Sequence, residues 1–284
     1  MAQKILVTGG AGVLGGAVAR ALAPLYDVSV TDMREMNLPL RQLAADLSKA
    51  DQARRVCEGM DVIVHAAAIH PWKKYTSDQY LDCNVKAAYN VLAAAAEVGV
   101  KRVVYTSSIA AMGYRAASPA ELPFNEDKPC RPTDDLYGLS KHVGEQFCHM
   151  FHRSHGLPWV FLRPGCFIPI DEAEPAFGLG LLGSRVSFAD IAQGHFKALL
   201  SDVVHEAIIL TAGAPFTAAD SDALLSDARS AILKYYPEAA ELEAQGLELP
   251  TRLCPTYRID KARRLLGYEP EWTFDRWLRE RLAS

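Results

Sequence analysis

Tyr137 and Lys141 have the residue types and the spacing that acid–base chemistry on a hydroxyl group requires. They stand four residues apart, and residues i and i+4 share one face of a helix, so both side chains can point into one site. A free phenol titrates at about pH 10, and a neighbouring ammonium favours the phenolate and lowers its pKa. The pair therefore predicts a tyrosine that takes a proton from a substrate hydroxyl, with Lys141 tuning it and able to hold a cofactor ribose.

A run of hydroxyl side chains, Thr106-Ser107-Ser108, closes the predicted strand Arg102–Ser107. In a parallel α/β sheet, ligands bind at the carboxyl ends of the strands. A hydroxyl at that edge can hydrogen-bond a substrate oxygen as charge develops on it. The run therefore supplies a second candidate group for the same site.

A glycine-rich turn joins the predicted strand Lys4–Thr8 to the predicted helix Val13–Ala23. Gly9 permits a tight turn, Gly12 permits backbone to approach a pyrophosphate, and Gly15 lets the helix pack closely on the strand. The helix N-terminus offers free N–H groups and a positive dipole to the phosphates. The residues expected to hold a dinucleotide here are Gly9, Gly12, Val13, Leu14 and Gly15.

Asp32 ends the second predicted strand, where a carboxylate can accept hydrogen bonds from the adenosine ribose. The same charge repels a 2′-phosphate, so Asp32 favours NAD over NADP as the cofactor. Arg34 lies close enough to pair with that phosphate and opposes this preference. Asp46 and Leu47, after the weakest predicted strand, are expected to border the adenine.

Short apolar runs alternate with longer amphipathic ones along most of the chain. This alternation predicts an α/β fold, a doubly wound parallel sheet of the Rossmann type with helices on both faces. The predicted strands are Lys4–Thr8, Val28–Thr31, Gln42–Ala45, Asp61–Ala66, Arg102–Ser107, Trp159–Leu162 and Ala207–Thr211. The predicted helices are Val13–Ala23, Asp51–Glu58, Ser77–Val98, Asp135–Ser154, Phe188–Ser201, Ala218–Tyr236, Asp260–Leu266 and Phe274–Leu282.

The rhythm changes after Pro164, where residues 165–187 are rich in glycine and proline and show no convincing long element. We therefore predict a dinucleotide-binding core formed by residues 1–164 and 188–211. Residues 165–187 and 212–284 are predicted to form a small C-terminal substrate-binding lobe.

The composition excludes several classes of protein. The chain has 284 residues, of which 50% are apolar and 23% charged, with a net charge of −4, so it carries no electrostatic footprint for nucleic acid. Apolar runs stay shorter than the roughly 18 residues that a membrane span needs. Six cysteines without a CxxC pair indicate reduced thiols, as in a cytoplasmic protein.

Three histidines, His149, His152 and His155, lie at positions i, i+3 and i+6 of one predicted helix. Positions i and i+6 do not share a helix face, and the stretch is remote from Tyr137. An exposed helix end is favoured over a zinc site, and we predict no metal.

These motifs occur in an order that resembles the extended short-chain dehydrogenase/reductases, also called the NAD-dependent epimerase/dehydratase family. The matching segments are residues 8–15, Asp61-Val62-Ile63-Val64-His65-Ala66-Ala67, Asn84-Val85, Thr106-Ser107-Ser108, Tyr137-Gly138-Leu139-Ser140-Lys141, Arg163-Pro164, residues 188–192 and residues 266–270. Together they cover nearly the whole chain.

The resemblance implies NAD as the cofactor, Tyr137 as the catalytic acid–base, Lys141 as its partner and Ser108 as the group that hydrogen-bonds the substrate. It also implies a homodimer in which the helices Ser77–Val98 and Asp135–Ser154 pair. The further residues that it implies along the cofactor or beside the active site are His65, Ala66, Ala67, Asn84 and Ser107.

Two departures from the family pattern bear on the reaction. Family dehydratases carry an Asp-Glu pair after the catalytic hydroxyl, but Ile109-Ala110 follow Ser108 here, so elimination of water is disfavoured. Only 25 residues, 165–189, separate Pro164 from Asp190, which leaves little room for a nucleotide-sugar pocket.

The short segment looks more similar to the uronate dehydrogenase type, which oxidises a free sugar acid at its anomeric carbon. Such a substrate needs a cation for its carboxylate, and Arg163, Arg185, Lys73 and Lys74 are the candidates. We expect a dehydrogenase or reductase of a small sugar or sugar acid. An epimerase that keeps NADH bound is the alternative, and a non-enzymatic dinucleotide sensor is disfavoured because Tyr137 and Lys141 are both present.

Overall fold

One parallel sheet organises the molecule. The computed structural model describes residues 2–132, 135–168 and 170–283, and in them seven strands lie side by side in the order β3-β2-β1-β4-β5-β6-β7. Each neighbouring pair is parallel. The strands are β1 (Lys4–Thr8), β2 (Asp27–Asp32), β3 (Arg41–Ala44), β4 (Val62–His65), β5 (Arg102–Thr106), β6 (Trp159–Pro164) and β7 (Glu206–Leu210). The predicted doubly wound sheet is confirmed, with each predicted strand ending within two residues of the observed one.

Helices cover both faces of this sheet. They are α1 (Val13–Leu22), α2 (Ala50–Cys57), α3 (Ser77–Tyr80), α4 (Ala87–Glu97), α5 (Leu136–His155), α6 (Pro175–Leu181), α7 (Phe188–Leu200), α8 (Ser221–Ser226), α9 (Ala228–Tyr235), α10 (Ala240–Ala244), α11 (Asp260–Leu266) and α12 (Phe274–Leu282). None of the helices in the described ranges combines the length and the apolar character that a membrane crossing needs.

The strand order creates a switch point between β1 and β4. From β1 the chain builds β2 and β3 on one side, and it then crosses to β4 on the other. Thr8, at the carboxyl end of β1, aligns with Thr31 of β2 and with His65 of β4. The two crossovers therefore leave the sheet in opposite directions at one edge, which opens a crevice there.

Alternation along each buried strand divides the core into two layers. Ile5 and Val7 of β1 join one apolar cluster, shared with α1 and α7, and Leu6 joins the other, shared with α2, α4 and α5. Successive side chains of a strand point to opposite faces, so a continuous apolar run fills both layers.

Two predicted helices differ from the observed ones. The predicted helix Ala218–Tyr236 is broken at Asp227, whose backbone (φ −154, ψ 59) is not helical and whose side chain caps α9 by accepting from the Ser230 N–H. The predicted helix Ser77–Val98 is a continuous helical path, but it contains a π-helical stretch at Leu81–Lys86 between α3 and α4. Hydrophobic periodicity found these segments but could not locate the local breaks.

The region after β6 contains two helices that sequence reasoning missed. Helix α6 starts with a proline in its first turn, and Gly178 within it lets the Trp277 ring of α12 approach so closely that a Cβ would lie 2.0 Å from it. Helix α10 is only five residues long. The predicted division into a core and a substrate lobe stays a prediction. Ile208 of β7, in the predicted core, and Trp277, in the predicted lobe, belong to one apolar cluster.

Candidate active site

A cavity of about 650 Å³ opens at the β1–β4 switch point. It is lined by backbone of the glycine turn at one end and by side chains after β4, β5 and β6 and at the start of α5 at the other. The predicted residues that line it are Gly9, Gly12, Val13, Leu14, Gly15, Asp32, Asp46, Leu47, Ala66, Ala67, Ser107, Ser108, Tyr137 and Lys141. Segments far apart in sequence therefore converge on one site.

The glycine turn has no room for side chains. Gly9 has φ +75, and a Cβ on it would lie 2.9 Å from the Ala67 Cα. A Cβ on Gly15 would lie 2.3 Å from the Gly9 carbonyl oxygen. Strand, turn and helix are therefore packed backbone against backbone, which brings the start of α1 directly to the cavity.

The start of α1 fits an anionic ligand. Gly12 is the N-cap residue, no side chain caps the helix, and its first turn holds no acidic residue. The N–H groups and the positive end of the helix dipole therefore face the cavity, as a dinucleotide diphosphate requires. The residues present fit NAD at this end.

Asp32 lies where a ribose would be bound, at the carboxyl end of β2. Its carboxylate accepts from the Ala11 N–H (3.1 Å) and pairs with the Arg34 guanidinium (Nε–Oδ1, 3.2 Å). This hydrogen bond raises the pKa of Arg34. Arg34 is thus directed to Asp32, which supports the predicted preference for NAD.

Helix α5 brings Tyr137 and Lys141 to the other end of the cavity. The Asp135 side chain caps the helix by accepting from the Gly138 N–H (2.6 Å). Lys141 Nζ donates to the Thr106 carbonyl oxygen (2.8 Å) and lies 5.9 Å from the centre of the Tyr137 ring. The helical spacing thus places both side chains against the carboxyl end of β5, as predicted.

Burial controls the pKa values of this pair. It raises the pKa of Tyr137, and a hydrogen bond with Ser108 acts in the opposite direction. Burial lowers the pKa of Lys141 to about 7, opposed by the charge of Glu145. Desolvation of the phenolate is the largest influence on Tyr137, and the expectation that a protonated Lys141 lowers the Tyr137 pKa stays a prediction.

The two serines after β5 have different partners. Ser108 contacts the Tyr137 side chain and caps the short 3₁₀ turn Ile109–Met112 by accepting from the Ala110 N–H (3.1 Å). Ser107 donates instead to Glu145 Oε1 (2.6 Å). Ser108 is therefore the serine placed to share a substrate oxygen with Tyr137.

Arg163 is not available to a substrate. Its guanidinium forms two 2.8 Å hydrogen bonds with the Glu145 carboxylate, and both side chains are almost fully buried. It does not line the cavity, which corrects its assignment as a carboxylate-binding residue. A charge buried in the sheet must be paired, and Glu145 on α5 supplies the partner.

Two of the other three cations predicted to bind a substrate carboxylate lie outside the cavity lining. Arg185 donates to the Ile168 carbonyl oxygen (3.0 Å) and lies beside the Phe177 ring, outside the cavity lining. Lys74 does not line the cavity either, whereas Lys73 does. The structure therefore leaves Lys73 as the member of the predicted set that reaches the cavity.

His65 and Asn84 are buried behind the residues that line the cavity, and their assignment to the cofactor stays a prediction. His65 Nδ1 is hydrogen-bonded to the Thr8 hydroxyl (3.0 Å), and burial lowers its pKa to about 3. Asn84 holds the loop after β4 through the Ile69 N–H and C=O groups, and it donates to the Ser140 hydroxyl (3.1 Å).

Sequence reasoning missed an aromatic wall formed by His70, Trp72 and Tyr114. The His70 ring meets the Tyr137 ring edge-on at 4.7 Å, and the Trp72 ring lies 5.3 Å from His70. All three line the cavity. Their place in the chain could have identified them. His70 and Trp72 lie in the loop after β4 and Tyr114 lies in the loop after β5, and these loops are at the sheet edge where ligands bind.

The predicted absence of a histidine zinc site stays a prediction, and the three side chains have separate partners. His149 packs on Trp159, His152 on His205, and His155 next to Phe151. Elsewhere, potential ligand atoms of Cys130, His142 and Glu145 lie within 4.8 Å of one another. Arg163 already occupies both oxygens of Glu145, and its positive charge opposes a cation there.

Comparison with known proteins agrees with this geometry. The family model described as "NAD dependent epimerase/dehydratase family" matches residues 5–168. A uronate dehydrogenase from Agrobacterium fabrum is 34% identical over 200 residues, 69% of this chain and 72% of that protein. An L-arabinose 1-dehydrogenase (NAD(P)(+)) from Haloferax volcanii is 32% identical over 181 residues, 60% of this chain and 70% of that protein.

The fold is shared with solved structures at lower identity. A short-chain dehydrogenase/reductase superfamily protein from Agrobacterium tumefaciens with bound NAD superposes with a TM-score of 0.73 at 24% identity, covering 99% of this chain and 96% of that one. The glycine turn, the Tyr137–Lys141 pair and these matches lead to one conclusion. The chain belongs to the NAD-dependent epimerase/dehydratase family and is an NAD-dependent enzyme.

Proposed function

We propose that this enzyme is a dehydrogenase that oxidises a hydroxyl-bearing carbon of a small sugar or sugar acid. The observation that carries the proposal is the convergence of Ser108, Tyr137 and Lys141 at one end of a cavity whose other end is the glycine turn. The relatives act on the sugars and sugar acids that their names state, and this supports a carbohydrate-like substrate.

The chain's own groups perform the proton steps. Ser108 and Tyr137 hydrogen-bond the substrate hydroxyl, and Tyr137 accepts its proton as the carbonyl group forms. Bound NAD supplies the acceptor for the hydride that leaves the carbon. Lys141 donates to the Thr106 carbonyl oxygen. When Lys141 is protonated, its ammonium favours the phenolate form of Tyr137.

The two positions directly after Ser108 carry no group that could assist elimination of water. Ile109 and Ala110 follow Ser108 directly and are buried, with Ile109 in the cavity wall. Their apolar side chains cannot transfer protons, so the site supports oxidation and reduction without dehydration.

The test is NADH formation from a panel of aldoses and uronic acids, with Tyr137→Phe as the diagnostic variant. We expect Tyr137→Phe to lower kcat/KM by roughly 10²–10⁴-fold, the range for loss of a general base. Tyr75→Phe is the matched control, because Tyr75 also lines the cavity, and its rate should stay near that of the wild type. Full activity in Tyr137→Phe would refute the assignment of the base.

An epimerase is the second candidate, since the core motifs serve both reactions. In that case NADH would not accumulate, and incubation with catalytic NAD would interconvert two sugars that differ at one carbon. Chromatography of the products alongside the NADH assay separates the two reactions.

We also propose that the enzyme is a homodimer paired through the surface of α3, α4 and α5. Leu81 in the π-helical stretch after α3, Tyr89 on α4 and Leu139 on α5 are 47%, 43% and 45% exposed, and an exposed apolar surface of this kind favours association. Replacing Tyr89 and Leu139 with lysine should shift sedimentation from dimer to monomer. A monomeric wild type at micromolar concentration would contradict the proposal.

A cytoplasmic location is the remaining proposal. The six cysteines are free, and reduced thiols suit a reducing compartment. Fractionation of cells that express a tagged chain should recover it with cytosolic markers, and recovery from an oxidising compartment would contradict this.

A further inference from the structure

We propose, resting on the proposed dehydrogenase function, that the substrate is an uncharged sugar and that sugar acids are poor substrates. The reacting end of the cavity presents a carboxylate and aromatic rings where a sugar acid would need a fixed cation.

The cations along the cavity have other tasks. Among the described residues, the lysine and arginine side chains that line it are Arg34, Lys73 and Lys141. Arg34 pairs with Asp32 at the cofactor end, and Lys141 is buried and donates to the Thr106 carbonyl oxygen. Lys73 is exposed on the loop after β4, where its ammonium keeps its hydration. None of the three is a buried, directed guanidinium of the kind that binds a carboxylate bidentately.

Asp135 places a negative charge at the reacting end. It lines the cavity two residues before Tyr137, and the helix holds its carboxylate through the 2.6 Å bond from the Gly138 N–H. Its charge reaches the site, because it raises the pKa values of Tyr137 and Tyr114. A substrate carboxylate bound in the same space would be repelled, whereas a neutral hydroxyl could donate to the Asp135 carboxylate.

The aromatic wall suits the apolar face of a sugar ring. His70 lies edge-on to Tyr137 at 4.7 Å, and burial lowers its pKa to about 4, so the imidazole is neutral at physiological pH. Trp72 and Tyr114 continue the wall. Aromatic faces attract the C–H groups of a sugar and add no positive charge to the site.

Matched substrate pairs test the inference, since glucose and glucuronate, or galactose and galacturonate, differ only at the terminal carbon. With the wild-type enzyme and NAD, we expect kcat/KM for the neutral sugar to exceed that for its uronate at least tenfold. NADH formation that favours the uronate would overturn the inference and leave the dehydrogenase function standing. No NADH from any sugar, neutral or acidic, would overturn the proposed function and the inference with it.

Asp135→Asn isolates the charge, because asparagine caps a helix as well as aspartate does. We expect this variant to reduce the neutral-to-uronate preference at least fivefold, mainly through a lower KM for the uronate. Asp82→Asn is the matched control, since Asp82 lines the cavity on another segment, the π-helical stretch after α3, and should leave the preference unchanged. An equal preference in Asp135→Asn and wild type would contradict the role given to Asp135.

Lys73→Ala tests whether Lys73 binds a substrate carboxylate. Because Lys73 is exposed, the variant should fold normally and keep the wild-type preference. A tenfold loss of uronate activity with the neutral-sugar activity intact would identify Lys73 as a carboxylate receptor and overturn the inference.

Discussion

The two ends of the cavity are built in different ways. The cofactor end is made mainly of backbone, where Gly9 and Gly15 pack so closely that a single added carbon would collide with a neighbouring main chain. The reacting end is made of side chains. Tyr137 and Lys141 line it, Glu145 lies buried behind it, and the polar groups of all three must be paired. The cofactor end should therefore be damaged by adding atoms, and the reacting end by removing partners.

The largest expected effect is directly behind the reacting end, in Glu145→Gln. The substitution leaves the buried Arg163 without its counter-charge, which costs about 3–5 kcal/mol of the free energy of unfolding. Urea denaturation measures it. Adding Arg163→Met should recover part of the loss, because no unpaired charge remains. A loss below about 1 kcal/mol in Glu145→Gln would place this pair with ordinary surface ion pairs.

The second effect is at the cofactor end, in Gly15→Ala. The new Cβ would lie 2.3 Å from the Gly9 carbonyl oxygen, so strand and helix must separate. Overpacking of this kind costs about 1–3 kcal/mol, and we expect NAD affinity to fall roughly 10–100-fold by calorimetry. Arg20→Ala removes atoms from an exposed residue of the same helix that does not line the cavity, and this variant should bind NAD nearly as the wild type does. Equal losses in both variants would break the contrast between the two ends.

A third prediction uses the buried ammonium. Burial lowers the pKa of Lys141 from 10.5 to about 7, so between these values the unfolded chain holds a proton that the folded chain has released. The free energy of unfolding should therefore rise with pH in this window, by at most about 1.4 kcal/mol per unit, while below it the burial penalty is fully present. Comparing wild type with Lys141→Met by denaturation at pH 6, 8 and 9 isolates this contribution. Parallel curves for the two proteins would show that Lys141 titrates near its ordinary value.

The smallest effect is expected in Arg34→Ala. The Arg34 side chain is 63% exposed, and an ion pair of this kind is worth about 0–1 kcal/mol. NAD affinity should change by less than about fivefold, and affinity for NADP should not improve, because no cation remains beside Asp32. A tenfold loss of NAD affinity would show that a side chain, and not the backbone turn, dominates binding at this end.

The same contrast separates the residues that sequence reasoning placed correctly from those that it did not. The glycine turn and the Tyr137–Lys141 pair each lie within one short segment, and their geometry follows from a strand–turn–helix or from helical spacing. Arg163 and Arg185 were expected at the substrate, but each is held by a partner outside the cavity lining. Hydrophobic periodicity does not report such partners, because they depend on which surfaces meet after folding.

The broken helix and the missed helix α6 also depend on contacts that hydrophobic periodicity does not report. The break at Asp227 depends on its own side chain capping the next helix, and α6 is held by the ring of Trp277, about 100 residues later in the chain. The dimer surface, the lobe boundary and the roles of single site residues stay predictions. They depend on ligands and partner chains, which sequence patterns describe only through resemblance.

The amino-acid sequence by itself determined the class of sheet, the glycine turn and the placement of Tyr137 and Lys141 on one helix face. Each depends on local geometry, namely apolar periodicity, glycine at positions without space, and a four-residue helical step. Tertiary structure decided which charges face the cavity. It directed Arg163 to Glu145, set Asp135 beside Tyr137 and covered the site with His70 and Trp72. Burial and pairing of charge are properties of surfaces in contact, so they exist only once distant segments have come together.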